Sequence, residues 1–325
     1  MSRPGLSWGT RPIPRNPEAT VLEALEDAGL PVVSGCRAGS CGKCLQRSLE
    51  TPPAAAQRGL RATLASQNYF YSCQAKPEGA LTLVPAEPPA PVAASVLESE
   101  SVGLDVRRLR VRTASPLDYR PGQYVDLLSP EGVARSYSVA SLPESGALEV
   151  HVRRIEGGAL SPWLHALSPG DELRVRGPFG QCFYTPDAAE RALLLIGAGT
   201  GLAPLLGIAR AALQAGHTQP IALVHGALEP RRLYLRDELR ELAAEHPNLH
   251  VHACVLRDAG PDELEGPLDR VALGLAGDLH RTRVFLCGDG ELVRKLQRSC
   301  FLAGVPSGEI YADPFLAPPT PSATS

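Results

Sequence analysis

The chain has 325 residues, 44% of them hydrophobic and 21% charged, with a formal net charge of −3 and only 5% aromatics. That length allows two or three domains, and the composition is globular rather than fibrous or disordered. The near-neutral charge carries no nucleic-acid footprint. Residues 1–16 hold prolines and arginines without an apolar core, so they do not read as a signal peptide. Charge is uneven: residues 1–84 hold 9 Lys+Arg against 6 Asp+Glu, a mildly basic start to an otherwise acidic chain.

Residues 6–14 read as one short strand. Thr20-Val21-Leu22-Glu23 has the form of a capping box, Leu22 and Leu25 share the apolar face of the helix it opens, and Gly29 stands where such a helix stops. Next comes Gly35-Cys36-Arg37-Ala38-Gly39-Ser40-Cys41-Gly42-Lys43-Cys44, with a fourth cysteine at Cys73. The C-x4-C-x2-C spacing with a distant fourth thiol is the plant-type ligand set for a [2Fe–2S] cluster. Gly35, Gly39 and Gly42 are expected to bend the loop through positive φ and bring N–H groups to the sulfurs. A structural zinc site is the lesser alternative, because zinc ligands usually come as two short clips. A disulfide framework fits small secreted scaffolds, not a chain of this length. Leu81-Thr82-Leu83-Val84 reads as a closing strand, and Pro85-Ala86-Glu87-Pro88-Pro89-Ala90-Pro91 as a stiff linker. This gives a first domain over 1–84 and a linker over 85–91.

From 92 to about 187 the pattern is one of short strands at 104–106, 109–111, 148–152 and 173–175, with turn residues between them, which predicts a small antiparallel barrel or sandwich. Arg135-Ser136-Tyr137-Ser138 follows Pro121-Gly122-Gln123-Tyr124. Gly157-Gly158-Ala159-Leu160-Ser161-Pro162 then leads into a helix, with Ser161 expected as its N-cap. Glycines before a helix start expose N–H donors suited to a pyrophosphate, and Arg135 adds a cation. Trp163 is assigned to packing.

From 188 to 316 the period changes. Apolar runs at 193–196, 221–224, 251–255 and 284–287 alternate with helical segments at 237–245 and 292–302, the order of a parallel sheet. Residues 192–209 carry no charge, but Gly197, Gly199, Gly201, Pro204 and Gly207 make them a buried strand, a glycine turn and a helix, not a membrane span. Ile196-Gly197-Ala198-Gly199-Thr200-Gly201 lets backbone approach phosphates at that helix start. Past the second strand, Glu229 would bind a ribose diol, whereas Arg231 and Arg232 would welcome a 2′-phosphate; the acid favours NADH, with NADPH left open. Cys182, Cys254, Cys287 and Cys300 show no ligand spacing, and neither do the histidines, His250 and His252 included. Residues 317–325 read as a disordered tail. No internal repeat is present.

Cys36 to Cys44 match at every fixed position the C-R-x-G-x-C-G-x-C loop of the ferredoxin domain of bacterial oxygenase reductases, which the chain resembles, though its N-terminus is short for a complete first hairpin. The Arg-x-Tyr-Ser and Gly-x-x-Ser motifs, in that order, resemble the flavin domain of the ferredoxin–NADP reductase superfamily. Gly197 to Pro204 and Cys287-Gly288-Asp289-Gly290 resemble its nucleotide domain, with Asp289 where the family has proline. The resemblance implies a β-grasp ferredoxin domain, an antiparallel β-barrel flavin domain and an α/β parallel-sheet nucleotide domain. It implies metal ligands Cys36, Cys41, Cys44 and Cys73; FAD held by Arg135, Tyr137, Ser138, the Val152 backbone, Gly158 and Ser161; and NADH at Gly197, Gly199, Thr200, Gly201, Glu229, Cys287, Gly288 and Asp289. Phe315 takes the place of a C-terminal aromatic near the flavin. Ser138, Tyr137 and Cys287 are the implied catalytic groups. The implied activity is electron transfer from NADH through FAD and [2Fe–2S] to an oxygenase component, by a cytoplasmic monomer. Other acceptors are a deoxysugar dehydrase, a cytochrome P450 or a separate ferredoxin, and a redox sensor is the reading from another class.

Overall fold

Short strands around one capped helix make up the start of the chain. In the computed structural model, which describes residues 5–14, 16, 18–39, 41–76, 79–85 and 89–315, β1 (Leu6–Trp8) and β2 (Arg11–Ile13) pair antiparallel with Leu6 opposite Ile13. The single strand expected over 6–14 is therefore a complete, if minimal, hairpin: burying Leu6 and Ile13 side by side requires the chain to reverse between them. Helix α1 (Val21–Asp27) opens on the capping box read from sequence. The Glu23 amide donates to Thr20 Oγ1 (3.3 Å) and the Thr20 amide to Glu23 Oε2 (2.7 Å). Gly29, at φ 67°, follows its last turn. Strands β3 (Leu45–Arg47) and β4 (Tyr69–Tyr71), flanking the short α2 (Ala62–Ala65), pair antiparallel, and β5 (Leu81–Leu83) joins β1 in parallel. Val21, Leu25, Phe70 and Leu81 fill the core beneath.

The chain divides into two compact units, Met1–Pro88 and Pro89–Ser325. Part of the linker stretch, 86–88, and the whole tail, 317–325, lie outside the described residues.

The second unit begins with six antiparallel strands: β6 (Val92–Ser101), β7 (Val106–Thr113), β8 (Tyr124–Leu128), β9 (Ala134–Ser138), β10 (Leu148–Arg153) and β11 (Glu172–Phe179), in the order β10-β7-β6-β11-β8-β9. A bridge between Val139 and Val150 joins the two edges, closing the sheet into a barrel. Where the sequence indicated strands at 104–106 and 109–111, there is one strand, and Leu104 is exposed in the turn before it. Helix α3 (Ser161–Ala166) has Leu160, not Ser161, as its cap. On β10, Glu149 and His151 are buried along with Leu148, Val150 and Val152.

The rest of this unit is built on a six-stranded parallel sheet, β12 (Ala192–Ala198), β13 (Ile221–Ala227), β14 (Leu249–Val255), β15 (Glu263–Glu265), β16 (Thr282–Asp289) and β17 (Ile310–Phe315), ordered β15-β14-β13-β12-β16-β17. Helices α4 (Leu202–Gln214) and α5 (Arg236–Glu245) cover one face, and α6 (Leu268–Leu275) and α7 (Gly290–Leu302) cover the other. Its apolar strands are buried on both faces, as a parallel sheet requires. Register sets the chemistry. Gly197 lies opposite Cys287, and Cys287 opposite Asp313, so three segments meet at the carboxyl lip of the sheet.

Candidate functional site

Pairing of β3 with β4 delivers Cys44 and Cys73 to one place. The Ser72 amide (3.1 Å) and hydroxyl (2.7 Å) both donate to the Cys44 carbonyl, and the two buried sulfurs lie 3.3 Å apart. Burial pushes the Cys44 thiol up from its ordinary value, so ionising it calls for a cation alongside. Cys36 and Cys41 are exposed and held by backbone. The Cys36 sulfur accepts the amides of Ala38 and Cys41, and the Cys41 sulfur accepts that of Cys36, each at 3.4 Å. Amides aimed at sulfur stabilise a thiolate and tune a cluster bound to it. Gly39 and Gly42 take positive φ, and so does Arg37. Gly35 does not; its need for glycine is space, since a Cβ there would lie 3.0 Å from the Cys41 sulfur. Among the described residues no three His, Cys, Asp or Glu side chains gather closely enough to hold a single metal ion. A close Cys44–Cys73 pair together with two cysteines whose sulfurs accept backbone amides fits a [2Fe–2S] cluster.

On the barrel, β9 carries Arg135, Tyr137 and Ser138. Tyr137 packs half-buried against the barrel core, and burial pushes its hydroxyl up to about 12, so the ring is neutral. Arg135 is half-buried and donates to the neighbouring Ala134 carbonyl (2.7 Å). The Val152 carbonyl lies 2.8 Å from His165 Nε2 and is already engaged. The 155–161 turn is closed by the Ile155 amide donating to Ser161 Oγ (3.0 Å), which leaves the hydroxyl hydrogen free for another acceptor. A Cβ on Gly158 would lie 2.9 Å from the Ile155 carbonyl and 3.0 Å from Ser161 Oγ, so only glycine keeps this turn tight. A turn with a free hydroxyl beside an arginine-bearing strand fits an anionic flavin nucleotide.

The Ser138 hydroxyl donates to Asp313 Oδ2 at 2.9 Å, joining barrel to sheet across 175 residues of sequence. Burial raises the Asp313 carboxyl to about 6, and the Ser138 hydrogen bond lowers it only in part. Beside it Cys287 is fully buried with its sulfur 3.8 Å from that of Cys182, and burial drives its thiol far above the ordinary range. It is therefore a neutral donor, not a nucleophile. Sequence reasoning missed Asp313 and Cys182. The signal for Asp313 was a carboxylate standing inside an otherwise apolar terminal strand. Phe315 pairs with Asp289 in register and is half-buried. Asp289 itself caps α7, accepting the amides of Glu291 (2.9 Å) and Leu292 (3.3 Å), which accounts for an acid at this position.

Gly199-Thr200-Gly201 forms a tight turn before α4. A Cβ on Gly201 would fall 2.3 Å from the Cys287 carbonyl oxygen, so the glycine loop and the Cys287–Gly288 backbone touch as only glycine permits. This close approach brings the two nucleotide motifs together and fits a dinucleotide lying over the lip. Glu229 is tied at both oxygens, to Arg231 Nε (2.7 Å) and to Arg257. Arg232 instead reaches Asp105 (3.4 Å).

A buried polar chain runs behind the lip. His225 stands edge-on to Tyr234, whose hydroxyl lies 2.9 Å from His151 Nδ1. His151 Nε2 is 3.1 Å from Glu149, and Glu149 is 3.3 Å from Arg210. Arg210 also donates to the Ala140 carbonyl (3.0 Å), two residues past Ser138, and to Glu238 (2.6 Å). Burial alone would raise Glu149, but the hydrogen bond from His151 and the charge of Arg210 outweigh it and hold the carboxyl near about 2. This explains why β10 buries its polar face.

Three family descriptions match successive parts of the chain: a 2Fe-2S iron-sulfur cluster binding domain over 9–78, an oxidoreductase FAD-binding domain over 93–184 and an oxidoreductase NAD-binding domain over 195–298. The chain is 33% identical over 323 residues, 94% of its own length and 96% of the other's, to the ferredoxin–NAD(P)+ reductase component of the naphthalene 1,2-dioxygenase system of Pseudomonas putida. It is 35% identical over 263 residues, 74% of this chain and 77% of the relative, to the reductase subunit of an aromatic O-demethylase from Amycolatopsis. Among solved structures, it is similar to an Amycolatopsis cytochrome P450 reductase with a TM-score of 0.68 and 29% identity, covering 96% of this chain and 98% of that one.

Proposed function

Because this chain belongs to the family of ferredoxin–NAD(P)+ reductase components of oxygenase systems, we propose that it takes electrons from NADH and delivers them singly to an oxygenase component. It is an oxidoreductase with FAD, NAD and [2Fe–2S] domains. When bound, the flavin accepts a hydride and releases single electrons, and the cluster carries them one at a time. The observation that carries the residue-level reading is the meeting of Ser138, Cys287 and Asp313 at the glycine lip.

In this reading Cys36, Cys41, Cys44 and Cys73 hold the cluster. Arg135, Gly158 and Ser161 hold the flavin pyrophosphate, and Tyr137 lies along the ring. Gly197, Gly199, Thr200 and Gly201 present backbone to the nucleotide phosphates, and Cys287, Gly288 and Asp289 line the nicotinamide side, with Phe315 at its edge. Asp313 orients the Ser138 hydroxyl and holds a proton at its carboxyl below about pH 6. Buried Cys182 and Cys287 give the pocket a dry floor. Exposure of Cys36 and Cys41 makes that pair the outlet toward a partner. No helix among the described residues is long and apolar enough to cross a membrane; the reading is of a cytoplasmic monomer with no nucleic-acid partner. A cytochrome P450 is the second acceptor, on the strength of the Amycolatopsis likeness.

Anaerobic stopped-flow with NADH tests the reading. Flavin bleaching followed by cluster bleaching, and then reduction of an added oxygenase component, is expected. Protein that carries both groups but is not bleached by NADH would end it, and reduction of a P450 but not an oxygenase would select the second acceptor.

A further inference from the structure

The terminal strand β17 carries Asp313 and Phe315 to the lip, yet it is an edge of its sheet and pairs only with β16. Six residues hold it, from Ile310 opposite Val284 to Phe315 opposite Asp289. One of them, Pro314, has no N–H to donate. A slip of one residue would turn Asp313 to the other face of the sheet, and a slip of two would carry it about 6.6 Å along the strand. Either would part its carboxylate from the Ser138 hydroxyl, which lies 2.9 Å away in the observed register.

A buried arginine stands at the other end of the strand. Arg283, on β16, is 2% exposed, and all of its guanidinium nitrogens are engaged. Nε donates to Oε2 of Glu309 (2.7 Å), the residue that leads into β17. Nη1 donates to Thr185 Oγ1 and Asp187 Oδ1 (both 3.0 Å), and Nη2 to Asp187 Oδ2 (2.9 Å). Thr185 and Asp187 lie on the segment that joins barrel strand β11 to sheet strand β12. The guanidinium also sits over the Tyr311 ring, 5.1 Å from its centroid, and Tyr311 stacks on Phe285 at 5.4 Å. Glu309 has a second partner in Arg191 (3.4 Å). A buried ion pair adds little net stability over apolar packing of the same shape, and its best-attested use is to fix a register.

We propose that Arg283 is a positioning residue for flavin reduction: by holding Glu309 against the barrel-to-sheet segment it sets the register of β17, and so places Asp313 against Ser138. This rests on the function proposed above. The barrel side then meets the terminal strand at two points, Asp187–Arg283–Glu309 at its start and Ser138–Asp313 near its end. The two points are about 13 Å apart along the extended chain. Arg283 takes no part in binding flavin or coenzyme and acts only through Asp313.

Stopped-flow reduction of the holoprotein by NADH tests this with a double-mutant cycle. Glu309→Gln removes the charge that Arg283 grips but keeps the shape. It is expected to lower the limiting rate of flavin bleaching at saturating NADH by about tenfold, with flavin content and the apparent Kd for NADH within about twofold of wild type. In a Ser138→Ala background the same change should cost less than about twofold, because the bond through which the clamp acts is already gone. Arg283→Met should behave as Glu309→Gln does, and Arg283→Lys, which still reaches Glu309, should recover part of the rate. Should Arg283→Met fail to fold, the Glu309 cycle decides alone. An unchanged limiting rate in Glu309→Gln, an equal loss in both backgrounds, or a parallel weakening of flavin or NADH binding overturns the proposal while wild-type flavin is still bleached. Wild-type protein that carries flavin and cluster but is not bleached by NADH overturns the underlying function and this proposal with it.

Discussion

The cysteine loop and the Ser138–Asp313 junction both hold polar side chains in a fixed arrangement, and they do it by opposite means. In the loop, three of four thiols fall within nine residues, two of them stand exposed, and backbone amides hold them. At the junction, a barrel strand, a sheet strand and a terminal strand each give one side chain, and burial does the tuning. A loop built on backbone tolerates changes of side chain around it but not loss of a ligand. A junction built from side chains fails by degrees, because each member orients the next. Changing one member of each set tests that contrast.

The largest effect is expected at the loop. Cys41→Ser should lower one-electron delivery to a protein acceptor by roughly a thousandfold, while NADH-driven flavin reduction stays within about twofold. Low-temperature paramagnetic resonance after dithionite would show the cluster signal lost. Loss of flavin reduction as well would mean that the two sites are not separable, and the contrast would break there.

That same contrast decides what was legible. The cysteine spacing over Cys36 to Cys44 is a local pattern and stands out in the sequence, as does the capping box of Thr20 with Glu23, which the structure shows. Strands β12, β13 and β16 were legible because a parallel sheet buried on both faces needs unbroken apolar runs. Asp313 was not, since its partner stands 175 residues away and only sheet register brings them together. Nor were Glu149 and His151 legible as buried groups: the strand read over 148–152 says nothing of their burial, and Arg210 on α4 and Tyr234, both distant in sequence, give them partners inside. Glu229 was visible as an acid past the second strand, but the arginine that ties its second oxygen comes from the next strand's loop, beyond the reach of a local motif.

A smaller effect is expected at the junction. Ser138→Ala should slow flavin reduction by about a hundredfold with the cluster spectrum intact. The wild-type rate should rise as pH passes upward through about 6, where Asp313 becomes the carboxylate that Ser138 bonds. Asp313→Asn should flatten that step. A step that persists in the variant would assign it to another group and leave Ser138 a packing residue.

The smallest effect lies in the buried chain behind the junction, and here the sign follows from the shift. Glu149 is held near about 2 in the folded protein against an ordinary 4.5, so ionising it is easier folded than unfolded. Its contribution is complete above pH 4.5 and is lost as pH falls from there toward 2. Glu149→Gln keeps the shape and a hydrogen bond to His151 but removes the charge that Arg210 faces, and it should cost about 2 kcal/mol at pH 7. Urea melts should show the gap between wild type and variant closing as the buffer is taken down toward pH 3. A gap of equal size at both pH values would mean that packing, not charge, carries the network. Arg210 would then couple the nucleotide helix to the barrel only through its bond to Ala140, and the junction would be no more electrostatic than the loop.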